Sequence, residues 1–289
     1  MTEPAVQSPD IVEQALSKVT QIATLPEVTA QIVSVVDDPD TTADDLETLV
    51  SSDPVLSVRV LKVVNSAFYG MPGEVSSIKQ AIVVLGMSGV KNIAIAAGIS
   101  KLFRGGKVHE SFDAQDLWRH SAAVAAAARL IAEKSGDDRD GVFLIGLLHD
   151  LGVMIEMQAL RPQLIEVIDA MTANPDLSFR DAERQIIGAT HEEFGLALCR
   201  NWNFPDAFQA AVGFHHEPNN ASPEHQRHAQ IICVADHLAA ESGIGFGGTV
   251  DREAFPEDVV SSLGLSAEDL DAVREKLPEM FALADQLSE

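Results

Sequence analysis

GVFLIGLLHDLG, residues 141–152, is the stretch on which the fold turns. From Gly141 to Leu148 no side chain is polar, so a helix here is buried on all sides rather than along one stripe. His149 and Asp150 then arrive where burial continues, since Leu151 and Gly152 follow. Polar atoms in such a place need partners. By itself the pair is a weak signal: a core histidine with one hydrogen bond, beside a capping carboxylate, explains it as well as two ligands do.

The rest of the second half repeats the motif. His120 follows Trp118 and Arg119 and opens an alanine-rich helix. Thr190 and Glu193 form a capping-box pattern that projects His191 from the first turn of a helix. His215 and His216 end another apolar helix, and Asp236 interrupts the apolar stripe of Ile231, Ile232, Val234 and Ala235. Taken singly each reads as core or cap. Several helices that each set such a group on an apolar face make a pattern that coincidence does not explain. Imidazole nitrogen and carboxylate oxygen suit zinc, iron and manganese, and such groups brought together could hold one or two ions with positions open to water or phosphate. The candidate metal ligands are His120, His149, Asp150, His191, His215, His216 and Asp236. Asp116, one turn before His120, could join from the same face.

The order His, then His-Asp within LLHDLG, then His, then His-His, then Asp resembles the HD superfamily of metal-dependent phosphohydrolases. The first half narrows the match. LPEVTAQIVSVVDDPDTTADDLETLVSSDPVLSVRVLKVVNSAFYG (25–70), followed by VSSIKQAIVVLGMSGVKNIAI (75–95), is similar to the HDOD family, bacterial signalling-output relatives of the HD phosphohydrolases. The resemblance runs from about Val19 to about Ala240. It implies an all-α fold of two packed helical lobes, with His149 and Asp150 as core ligands and Asp150 the natural bridge between two ions. Two departures from the HD-GYP branch, which hydrolyses cyclic dinucleotides, bear on activity. Val153 stands where that branch places a lysine, and Glu217-Pro218-Asn219-Asn220 follows His216. A Gly-Tyr-Pro signature there is impossible, because Tyr69 is the chain's single tyrosine.

HDOD proteins are generally regarded as lacking demonstrated hydrolase activity. The resemblance therefore implies a non-catalytic signal-transduction regulator, acting through protein contacts or through a ligand or metal bound in the HD-like cleft, with no residue in a catalytic role. The alternative is a metal-dependent phosphohydrolase acting on a nucleotide or cyclic dinucleotide. Signalling proteins are the expected partners, and a nucleotide or cyclic dinucleotide is the candidate ligand. A third reading makes the 64–70 run, with Phe68 and Tyr69, a partner contact; its counterpart is a helix end whose aromatic pair packs between the lobes.

Helical spacing extends along the whole chain. Pro26 can start a helix that carries Val28, Ile32, Val35 and Val36; Thr42 with Asp45 makes a capping box; Asp53-Pro54 reads as an N-cap and first-turn proline. Ser77 and Ser88 can cap short helices either side of a break at Gly86. No alternating strand pattern appears. At 289 residues and 46% apolar composition the chain divides, by motif content, into an N-terminal helical lobe (1–108), an HD-like lobe (109–243) and a C-terminal helical extension (244–289), with the seam at the glycine- and charge-rich 103–109. The formal net charge of -24 repels polyanions, so no nucleic-acid partner is expected. Lys91, Lys101, Arg104 and Lys107 read as solvated surface charge. The N-terminus lacks the layout of a secretory signal, no apolar run approaches the length of a membrane span, and Cys199 and Cys233 have no paired spacing. A cytoplasmic protein with reduced thiols and no membrane partner is expected.

Overall fold

The computed structural model describes residues 9–19, 27–36, 40–66, 69, 71, 73–103, 107–250 and 255–285. Its first half comprises α1 (Pro9–Lys18), α2 (Glu27–Val36), α3 (Ala43–Ser52), α4 (Pro54–Val64) and α5 (Ile78–Ile99). The local signals act as their chemistry dictates. Asp45 accepts from the Thr42 amide at 2.9 Å while the Thr42 hydroxyl accepts from the Asp45 amide at 3.3 Å. Asp53 caps α4 by accepting from the Val55 and Leu56 amides at 2.9 and 3.1 Å. Ser77 caps α5, which is broken at Gly86 (φ 77°, ψ 169°). Ile32, Leu46, Val60 and Ile93 bury the faces that the spacing marks out. Pro26, Phe68, Arg104 and the side chains of Val35, Val36 and Lys101 lie outside the described residues.

A hairpin follows, β1 (Lys107–His109) against β2 (Phe112–Asp113), antiparallel. It corrects the expectation of no strand. Three residues facing two are too few for a period-two pattern to be legible; the hairpin is held by tertiary contacts instead. Arg161 donates to the Lys107 carbonyl at 2.7 Å, and the buried Phe112 ring meets Phe246 edge-on at 4.6 Å.

The second half is α6 (Ala114–Ser135), α7 (Arg139–Leu148), α8 (Leu151–Ala159), α9 (Arg161–Ala173), α10 (Phe179–Ile186), α11 (His191–Asn201), α12 (Asp206–Phe214), α13 (Gln226–Glu241), α14 (Glu257–Leu263) and α15 (Ala267–Ala284). The fold is all-α apart from the hairpin. Its axis is α6, against which α7, α13 and α15 pack. Alanines 122, 123 and 125–128 are all fully buried there, and short side chains let the neighbouring helices close in. α5 packs on α7, and α1 folds back onto α8 and α11. Ile78–Ile99 and Arg139–Ala159 are long and apolar enough to cross a membrane, which corrects the expectation that no apolar run approaches that length. Within the fold they are core, with 61% and 89% of their apolar windows buried. Cys199 and Cys233 are free and buried.

Candidate metal centre

Helix ends deliver most of the cluster. The apolar α7 terminates at His149 and α8 starts after Asp150, so the dyad forms the turn between two core helices. α11 begins at His191, its start fixed by Glu193 accepting from the Thr190 amide at 2.8 Å. His215 and His216 follow the last turn of α12, while His120 and Asp236 project from within α6 and α13. Close helix contact makes the convergence possible: a Cβ at Gly152 would fall inside the His191 carbonyl, so only glycine lets α8 and α11 approach this far.

All seven predicted residues meet. Three groups of potential ligand atoms, each within 4.8 Å of one another, are His191-His215-His216, His120-His149-Asp150 and His149-His215-Asp236. The third shares a member with each of the others, so the three are one cluster. Asp116 belongs to none of these groups; its carbonyl accepts from the Phe246 amide at 3.0 Å.

The imidazoles are oriented from outside. His149 Nδ1 donates to the Gly146 carbonyl and His215 Nδ1 to the Val212 carbonyl, both at 2.8 Å. His191 Nδ1 lies 3.0 Å from each oxygen of the Glu183 carboxylate, which also accepts from the His191 amide at 2.9 Å. With Nδ1 so engaged, all three Nε2 atoms turn inward to Asp150. His191 and His215 Nε2 stand 3.5 and 3.6 Å from its Oδ1, and His149 Nε2 stands 3.4 Å from its Oδ2. His120 Nε2 meets Asp236 at 2.9 Å, and the Nε2 atoms of His191 and His216 are 3.1 Å apart, close enough to share one proton or one cation.

Several polar atoms remain buried without a hydrogen-bond partner: His149 Nε2, His215 Nε2, Asp150 Oδ1 and Asp236 Oδ2 among them. Such atoms are costly unless something satisfies them. The donor set, the inward nitrogens and these orphaned atoms fit a divalent cation, and carbonyl or carboxylate partners on the far ring nitrogen are what metal-bound histidines carry.

The cluster's buried rings and carboxylates shift one another strongly. Burial would lower the His149 imidazole, but the Asp150 and Asp236 carboxylates outweigh it and raise the group to about 9. Burial raises Asp150, yet the neighbouring His149, His215 and His191 rings bring it well below the usual carboxylate range. Burial first, then the His215 and His191 rings, hold His216 well below an ordinary histidine.

A second layer escaped the sequence reading. Glu183 on α10 and Glu156 on α8 are fully buried. Burial, then the Glu183 carboxyl, pushes Glu156 well above the usual range, and burial raises Glu183 as well. The Thr249 hydroxyl donates to Asp150 Oδ2 at 3.1 Å, Phe179 packs edge-on against the His191 ring at 5.7 Å, and Arg180 binds Glu192 at 2.7 Å and Glu217 at 2.9 Å. No local pattern marks these residues, because each acts across a tertiary contact.

The family model of the HDOD domain matches residues 22–218. An uncharacterized protein of Treponema pallidum (strain Nichols) is 26% identical over 267 residues, 91% of this chain but 50% of its own length. The chain thus spans about half the length of that curated relative. The crystal structure of an HDOD domain protein of unknown function from Geobacter sulfurreducens superposes with a TM-score of 0.79 at 26% identity, covering 96% of this chain and 97% of that one. A protein from Shewanella amazonensis SB2B, provisionally named a phosphohydrolase, does so with a TM-score of 0.72 at 26% identity, covering 95% and 97%.

Proposed function

The chain belongs to the HDOD domain family, and from that premise we propose that it is a signal-transduction domain that binds a divalent metal without turning over a phosphate ester. The observation that carries this is the cavity of about 360 Å3 onto which His216 opens. Glu217, Asn219, Asn220, His237 and Asp258 line it, and among the described residues neither lysine nor arginine does. A phosphate would meet two carboxylates there, with only the Asn219 and Asn220 amides and the His216 and His237 rings to donate to it and, among the described residues, no cationic side chain for the charge that develops. Arg180, whose field reaches His216, is neutralised by Glu192 and Glu217, and Val153 is an apolar side chain wholly inside the core.

His149, Asp150, His191, His215, His216, Asp236 and His120 would hold one or two ions of iron, manganese or zinc. When bound, such an ion supplies a positive charge able to polarise a water or a phosphate oxygen. The chain's own residues orient the donors and exclude solvent, since all seven side chains are enclosed. Exposed Val55, Val58, Val83, Val84 and Met87, on α4 and the first half of α5, offer a signalling partner apolar surface to cover. Buried free thiols agree with the cytoplasm as its compartment.

The runner-up is a metal-dependent phosphohydrolase acting on a nucleotide or cyclic dinucleotide. It is favoured by the convergence of three Nε2 atoms on Asp150, a donor set suited to a water-activating ion, and by the name of the Shewanella protein. Incubating the protein with manganese or iron(II) and cyclic dinucleotides, nucleotides and a generic phosphodiester separates the two. Our proposal expects no turnover above the metal-free control. Turnover that disappears in both His149→Ala and Asp150→Ala would instead establish the hydrolase.

A further inference from the structure

A larger cavity, of about 790 Å3, lies beside the metal centre without containing any of its ligands. Its volume is that of a small-molecule site. Two of its lining residues, and a third residue inside its wall, touch the shell of the centre. Phe179 is the ring packed on His191, Arg180 is the guanidinium bound to Glu192 and Glu217, and the wall formed by Phe246, Gly248 and Val250 includes Thr249 between them, whose hydroxyl reaches Asp150. That wall is built for its place. Gly245 has φ +70°, and a Cβ there would collide with the α6 backbone at Asp116 and His120, so the segment lies directly on the helix that carries His120. The Phe246 amide ties it down through the Asp116 carbonyl at 3.0 Å.

We propose that this cavity is a second ligand site, for a small organic anion with a flat apolar body, and that its wall is anchored to the metal centre by the Thr249 to Asp150 hydrogen bond. The half-buried Phe246 ring, backed edge-on by the buried Phe179 ring with centroids 6.1 Å apart at 72°, and the half-buried Met171 thioether supply surfaces for a flat ring. The anion falls to Arg184. Arg180 is fixed by its two carboxylates, whereas Arg184 is 48% exposed and meets Asp181, itself 57% exposed, at 3.5 Å. Exposed ion pairs of this kind are weak in water, so the guanidinium can turn to a ligand and bind it through two parallel hydrogen bonds. Asp176 and Asp181, the lining carboxylates, are exposed and can accept from ring N–H groups of the same ligand. The site stands apart from the signalling proposal, because none of its lining residues is a metal ligand.

The test uses the full chain in EDTA, with 8-anilinonaphthalene-1-sulfonate as the probe, a flat aromatic body carrying one sulfonate. Fluorescence titration is expected to saturate at one probe per chain. Arg184→Glu, a surface change that leaves the fold intact, and Met171→Trp, which fills the cavity, are each expected to weaken binding at least tenfold with the melting temperature of Arg184→Glu unchanged. Thr249→Val is expected to weaken it about threefold, by freeing the wall. No saturable binding, or equal binding by Arg184→Glu, overturns the site; equal binding by Thr249→Val overturns the anchoring. Because EDTA removes metal, failure here is distinct from failure of the metal centre.

Discussion

Glu183 is the residue whose role was hardest to foresee and simplest to test. It accepts from both the ring and the amide of His191, thereby setting which nitrogen faces the cluster. Outer partners of this kind typically govern metal affinity by about 10–100-fold. Glu183→Gln is therefore expected to raise the dissociation constant for manganese by that factor in calorimetry while the far-ultraviolet spectrum stays helical; unchanged affinity would remove Glu183 from the site. The seven residues of the cluster were legible because imidazole and carboxylate are conspicuous on apolar helices. Glu183, Glu156 and Thr249 were not, since a glutamate on a short helix or a threonine in a glycine-rich loop looks like surface until the fold buries it.

His149 also sets a pH dependence. Its folded value of about 9 stands above the ordinary 6.5, so its contribution is full below pH 6.5 and is lost as pH rises through 9. The upper bound is about 3 kcal/mol, from 1.36 kcal/mol per unit. His216, held low, acts in the opposite sense below pH 6.5, while the buried Glu156 and Glu183 carboxyls, both raised, also lower stability as pH rises, so His149 is read from the difference between parent and variant. Thermal melts in chelator are expected to fall across the interval from 6.5 to 9 for the parent and to fall less steeply for His149→Gln. Identical slopes would contradict the assigned charge.

At the scale of elements, caps and close approaches differ in how openly the sequence shows them. Asp53-Pro54 announces the start of α4, and Asp53→Ala is expected to cost about 1 kcal/mol, the usual value of an N-cap. Gly152 announces nothing, because a glycine after His-Asp looks like an ordinary turn residue. Its neighbour is the His191 backbone rather than a flexible side chain, so α8 and α11 must part to admit even a methyl group. Gly152→Ala is expected to destabilise by about 1–3 kcal/mol in urea titration, as overpacking does, and to weaken metal binding in step by moving His191. A stability loss with metal affinity intact would show that the α8–α11 contact does not position the site. The hairpin at 107–113 was illegible for a related reason: it is held by Arg161 and Phe246, far along the chain.

For the whole molecule the general plan was open to reading, because helical spacing and the family motifs both point to an all-α chain. The pattern already placed Asp236, which lies beyond the family match ending at residue 218, in the cluster. It did not disclose that Thr249, further on, donates to Asp150 or that α15 packs on α6, the helix that carries His120. Metal binding should consequently stabilise the entire fold. Manganese at about 100 times its dissociation constant is expected to add about 2.7 kcal/mol, seen as a rise in the melting temperature that His149→Ala lacks.

The central claim, that seven side chains from separate helices form one metal centre, meets its most direct test in the metal content per chain. Tag-free protein purified without chelators, measured by elemental mass spectrometry beside His149→Ala, is predicted to carry one or two equivalents of iron, manganese or zinc that the variant lacks. Protein without metal even after anaerobic reconstitution would contradict it.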